Sequence, residues 1–100
     1  MKSEVFDQFV DHIIDLYNIN KSELFTKSKI RIFSEARYLL YYLCFTRPMK
    51  VVTIMHFMAE NGYKIDHSPI RSGVYAVAKR VKFDKDYIDI VKEIQNKVVI

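Results

Sequence analysis

Glycine and proline are scarce in this chain of 100 residues, two of each, and tryptophan is missing. Sandwiches and barrels of short strands need turn residues at frequent intervals, so the scarcity argues against them and for helices. Cys44 is the single cysteine. It excludes an intrachain disulfide and a cysteine-based zinc site. No apolar run approaches the ~20 residues needed to cross a bilayer, and the opening Met1-Lys2-Ser3-Glu4 has no signal-peptide core. The expectation is a soluble, reduced, cytoplasmic protein that starts at its own methionine. Enzyme signatures are also missing. There is no Gly-rich phosphate loop, serine nucleophile elbow or Cys–His pair, so the reading is a non-enzyme that needs no cofactor. His12, His56 and His67 fall on three separate segments. Asp11, His12 and Asp15 share one stretch, and a solvated acidic stripe describes them better than a metal site.

What is present is apolar patterning, in half of all residues. That is enough for one domain with one core. Phe6, Phe9, Val10, Ile13, Leu16 and Tyr17 predict a first helix over about Glu4 to Tyr17, with Ser3 as its cap. Asn20, with Glu23 three residues on, has the spacing of a capping box for a short second helix holding Leu24 and Phe25. "TKSKIR", 26–31, reads as a basic connection. Ile32, Phe33, Ala36, Leu39, Leu40, Leu43 and Cys44 predict a central third helix, ended by Thr46-Arg47-Pro48. A fourth helix over 49–60 turns Val51, Ile54, Met55 and Met58 inward and stops at Asn61-Gly62.

A fifth helix follows, with Ser68 as expected cap and Pro69 at the first helical position. Its inward stripe is Ile70, Gly73, Val74, Val77 and Val81. Gly73 is a poor helix former, so close approach of another helix is its expected reason. Arg71, Ser72, Tyr75, Lys79 and Lys82 face away from that stripe. A last helix starts near Asp84 with Ile88, Val91, Ile94 and Val98 inward. The fold class is therefore all-α, a bundle of five to six helices in which the fourth and fifth form a helix-turn-helix.

Net charge is only +4, but it is unevenly spread. Residues 1–26 carry two basic residues against five acidic, 27–50 six against one, and 51–100 eight against six. A basic middle beside an acidic first helix suits an anionic partner on one face.

The order of motifs adds to this. "YNINKSELFTKSKIRIFSEARYLLYYL", then "VVTIMHFM", then "DHSPI" resembles the C-terminal DNA-binding domain (domain IV) of the bacterial replication initiator DnaA, a tryptophan-repressor-like helix-turn-helix. The likeness runs through Tyr17-Asn18-Ile19, Glu23-Leu24, Thr26-Lys27-Ser28-Lys29, Glu35-Ala36-Arg37, Val51 with Ile54, and Asp66-His67-Ser68-Pro69-Ile70, over roughly residues 5–95. Three features depart from the family pattern. Lys29 stands where the family places a minor-groove arginine, Pro69 replaces a threonine, and the turn "AENGYKI" is about three residues longer. The family's ATPase domain has no counterpart here.

The resemblance implies sequence-specific binding of double-stranded DNA. The fifth helix would enter the major groove, with Asp66, His67 and Ser68 at base edges and Arg71 at a guanine or a phosphate. Lys27, Lys29 and Arg31 would follow the backbone or the adjacent minor groove, and Arg37, Arg47 and Lys50 are phosphate candidates. A stand-alone copy of such a domain suggests a phage, plasmid or other mobile-element protein acting in replication or transcription control. The competing reading is a protein-interaction module that keeps the fold and has given up DNA. Its contact surface would be the acidic face of the first helix (Asp7, Asp11, Asp15) or the Tyr38, Tyr41, Tyr42 cluster.

Overall fold

In the computed structural model, which describes residues 2–98, the chain forms six helices and no strand among those residues. They are α1 (Lys2–Tyr17), α2 (Lys21–Leu24), α3 (Arg31–Thr46), α4 (Val51–Glu60), α5 (His67–Phe83) and α6 (Lys85–Lys97). The all-α bundle expected from composition is what forms.

α3 is the axis of the molecule. Its apolar positions exceed one stripe, and Ala36, Leu39, Leu40, Tyr41, Leu43 and Cys44 are all buried. This lets it pack against α1, α2, α4 and α5 at once. α1 lays Val5, Phe6, Phe9, Val10 and Ile13 into the same core. The Phe6 ring meets Phe57 of α4 at 5.2 Å and Phe25, just after α2, at 6.4 Å. α6 packs on α5 through Tyr87, Val91 and Ile94. Its far end is tied to the end of α3, where Arg47 donates to the Val98 carbonyl at 2.9 Å and Gln95 Nε2 to Thr46 Oγ1 at 3.2 Å.

Local signals account for most boundaries. Asn20 closes the capping box on α2: its side chain accepts from the Glu23 N–H, and the Glu23 carboxylate accepts from the Asn20 N–H, both at 2.9 Å. Asn18 just before it takes a positive φ of 54°, a conformation asparagine tolerates better than most residues. α4 ends in a Schellman motif. Gly62 sits at φ 81°, its N–H donates to Ala59 O, and the Tyr63 N–H reaches Met58 O. Asp84 caps α6 by accepting from the Tyr87 N–H.

Gly73 has the role its sequence context suggests. A Cβ there would stand 2.8 Å from a ring carbon of Tyr38, 2.8 Å from a ring carbon of Tyr41 and 3.3 Å from the Tyr38 Cα. α5 can therefore cross α3 closely only without a side chain at this point.

Several expectations need correction. α1 already includes Ser3, which is a helical residue and not a cap. Leu16 and Ile32 lie 43% and 41% exposed, because the apolar stripes overrun the packed length of α1 and α3. Met49 is buried but precedes α4, which begins at Val51 with Lys50 at its cap position. α5 starts two residues early: Asp66 is the cap, and Ser68 and Pro69 lie within the first turn. Aspartate caps about as well as serine. Proline at the third helical position loses no hydrogen bond, since the first four N–H groups have no partner within the helix.

Candidate nucleic-acid interface

The basic connection 26–30 is shaped by one side chain. Arg37, on α3, is 4% exposed and carries its guanidinium under this loop. Nη1 donates to Leu24 O (3.1 Å) and Thr26 O (2.8 Å), and Nη2 to Ser28 O (3.1 Å) and Ser34 Oγ (3.3 Å). The planar fork suits this task, since it can satisfy several carbonyls of one bend simultaneously. Its charge also rests on a ring: the guanidinium carbon lies 5.0 Å from the Tyr63 centroid. Lys27 Nζ approaches the same ring at 5.7 Å. Tyr63 belongs to the turn leading into α5, so Arg37, Tyr63 and Lys27 hold the loop against that turn.

Arg37 is thus a correction to the list of phosphate candidates, because its hydrogen bonds are used inside the protein. Arg47 is half-buried, donates through Nη1 to Val98 O, and has its guanidinium carbon 5.9 Å from the Phe9 ring centroid. Lys27, Lys29 and Lys50 are exposed.

At the start of α5, Asp66 Oδ1 accepts from the His67 N–H at 2.9 Å and lies 3.0 Å from His67 Nδ1. These contacts, the backbone one first, hold the Asp66 carboxyl below its ordinary pKa of 3.8. The carboxylate and imidazole therefore present one paired polar unit, exposed on the surface. Ser68 and Arg71 are exposed next to it. Arg71 edges an apolar hollow of about 280 Å³ whose walls include Phe45, Val51, Val74 and Tyr75.

Arg31 goes elsewhere. It pairs with Glu35 at 3.4 Å and lines a different hollow, of about 540 Å³, with Ser34, Tyr38, Arg80 and Tyr87. Arg80 lies 4.0 Å over the Tyr87 ring and pairs with Asp84 at 3.5 Å. Burial, followed by the charge of Glu35, raises the Tyr17 pKa, and burial likewise raises that of Tyr87, so both phenols stay protonated. The structure therefore brings Lys27 to the turn before α5 and leaves Arg31 and Arg71 lining separate hollows.

Charge along α5 is one-sided. Arg71, Lys79, Arg80 and Lys82 meet no acidic residue between His67 and Phe83. α1 is the opposite, with Asp7, Asp11 and Asp15 all exposed. Among the described residues no group of three or more His, Cys, Asp or Glu side chains stands close enough to hold a metal ion. No described helix is long and apolar enough to cross a membrane.

Sequence reasoning missed Tyr63. The Asn61-Gly62 stop contained the signal, because the residue after the glycine of a Schellman motif commonly packs back on the helix. Phe83, 82% exposed, was also passed over. No family model, no curated protein and no solved structure matches the chain.

Proposed function

We propose that this protein binds double-stranded DNA in a sequence-dependent way, with α5 in the major groove and the 26–30 loop on the neighbouring backbone or minor groove. The observation that carries the reading is the Arg37–Tyr63–Lys27 arrangement. A buried arginine spends its donors on fixing a lysine-bearing loop against the turn that delivers a helix without acidic residues. Lys27, Lys29 and Lys50 supply phosphate contacts. His67, Ser68 and Arg71 are the candidates for base edges.

Asp66 has a double role in this reading. It caps α5 and orients His67, and its free carboxylate oxygen is an acceptor suited to a cytosine amino group. A carboxylate repels the DNA backbone, so its contribution is to selectivity. Pro69 fits as a helix starter but gives no hydroxyl to DNA. The action would be binding without catalysis, in replication or transcription control of a phage or other mobile element. The exposed acidic face of α1 favours a second, compatible contact with a basic protein partner through Asp7, Asp11 and Asp15.

The test is a salt titration on a duplex library. Log affinity should fall linearly with log salt, with a slope of about 0.9 per phosphate contacted. Replacing Lys27 and Lys29 by alanine should reduce that slope by about 2 and weaken all sequences alike. A salt-independent interaction, or one indifferent to both lysines, would contradict the proposal.

A further inference from the structure

Among the exposed large hydrophobics of the described residues, Phe83 at 82% and Tyr75 at 73% stand well above the rest, the next being Ile30 at 54%. Both lie on α5 and neither contributes to the core. At 100° per residue they are about 80° apart around the helix and about 12 Å apart along it. Lys79 falls between them around the helix and Lys82 about 20° to the other side of Tyr75, both on the outward face opposite the buried Ile70, Gly73 and Val77. The face therefore sets two cations between two rings in chain order, with no carboxylate until Asp84.

We infer that the second half of α5 binds single-stranded nucleic acid, with Tyr75 and Phe83 stacking on unpaired bases and Lys79 and Lys82 on phosphates. Aromatic platforms in a positive setting are how single strands are held without sequence readout. A duplex cannot use these rings in that way, because its base faces are already stacked and only base edges reach the grooves. The charge of the face selects a polyanion over an ordinary apolar protein segment. The residues differ from those of the duplex reading, although Tyr75 shares a hollow with Arg71, so the two sites are separated by measuring both kinds of binding on the same variants.

The test is fluorescence anisotropy of labelled oligothymidylate and oligouridylate of about 12 nucleotides, within the usual span of such sites. Wild-type protein should bind at low salt, and the two oligomers distinguish DNA from RNA as the strand. Tyr75→Ala and Phe83→Ala should each weaken binding by about 5-fold to 100-fold. Tyr75→Phe should retain it, because the ring face is kept. Lys79→Ala with Lys82→Ala should lower the salt slope by roughly 0.7 per lysine. Both aromatic positions are solvent-exposed, so the helical circular dichroism should not change. Duplex binding by the same variants, measured alongside, separates this site from the one at Asp66 and His67. The inference is overturned if neither oligomer binds, or if binding ignores both aromatic substitutions. It is equally overturned if anionic phosphatidylserine vesicles, and not oligonucleotides, show the dependence on Tyr75 and Phe83.

Discussion

Replacing Arg37 by methionine tests the internal architecture on which the interface depends. Methionine fills much of the arginine volume but supplies no donor, so Leu24 O, Thr26 O and Ser28 O all lose their partner. Hydrogen bonds from a charged group contribute about 1.5–3 kcal/mol each. The three do not simply add. The bond to Leu24 O is the buried one, while those to Thr26 O and Ser28 O are only part-buried, so water can replace them. Removing a buried guanidinium also relieves its desolvation cost, an offset of several kcal/mol at most. The expected net loss is about 2–4 kcal/mol. For a domain of this size that corresponds to a fall in Tm of roughly 10–30 °C. Amide exchange should accelerate first over residues 26–30. Arg37→Lys should lie between, because one ammonium cannot span three carbonyls. Thermal or urea unfolding with hydrogen exchange gives the answer. A methionine variant within about 0.5 kcal/mol of wild type, with unchanged exchange in the loop, would refute the role assigned to Arg37.

Other outcomes follow from single contacts. Gly73→Ala gains up to about 1 kcal/mol of helix propensity but forces a methyl against Tyr38 and the buried Tyr41, at an overpacking cost of about 1–3 kcal/mol. Urea unfolding should show net destabilisation, partly recovered in the double variant with Tyr38→Ala; stabilisation would mean α3 and α5 are farther apart than described. Asp66 has a depressed pKa, so its contribution to stability is complete above the ordinary value of 3.8 and is lost as pH falls through the lower native value. The stability difference between wild type and Asp66→Ala should therefore shrink in melts taken below about pH 4, whereas a constant difference would contradict the His67 contacts. Cys44 is fully buried and its thiol pKa is pushed up by burial. It should resist a thiol reagent until the protein unfolds; rapid labelling of the native state would be inconsistent with this packing.

Much of the fold could be read from the chain because its signals were local and agreed with one another. The Asn20–Glu23 box, the Asn61-Gly62 stop and the dense apolar pattern of α3 each define an element within a few residues. Gly73 was readable for the same reason, as a costly residue in a helix that needs a neighbour to explain it. The start of α5 was less clear because Asp66 and Ser68 are both competent caps, and the pairing of Asp66 with His67 favours the earlier one. The candidate site was harder to read. Arg37 and Arg47 look like surface cations in a list of charges. Only the folded chain brings the carbonyls of residues 24–28 to the first and Val98 to the second. Contacts spanning 13 and 51 residues leave no periodic trace in sequence. Tyr63 is similar, since its partners lie on α3 and in the 26–30 loop.

The most direct test of the central claim is selection from a pool of random duplexes, carried out with wild-type protein and with His67→Ala. One enriched motif is predicted for the wild type, with preference relaxed by about 1–3 kcal/mol at one or two positions in the variant. No enrichment with wild type, or the same motif at the same strength with His67→Ala, would contradict readout from the start of α5.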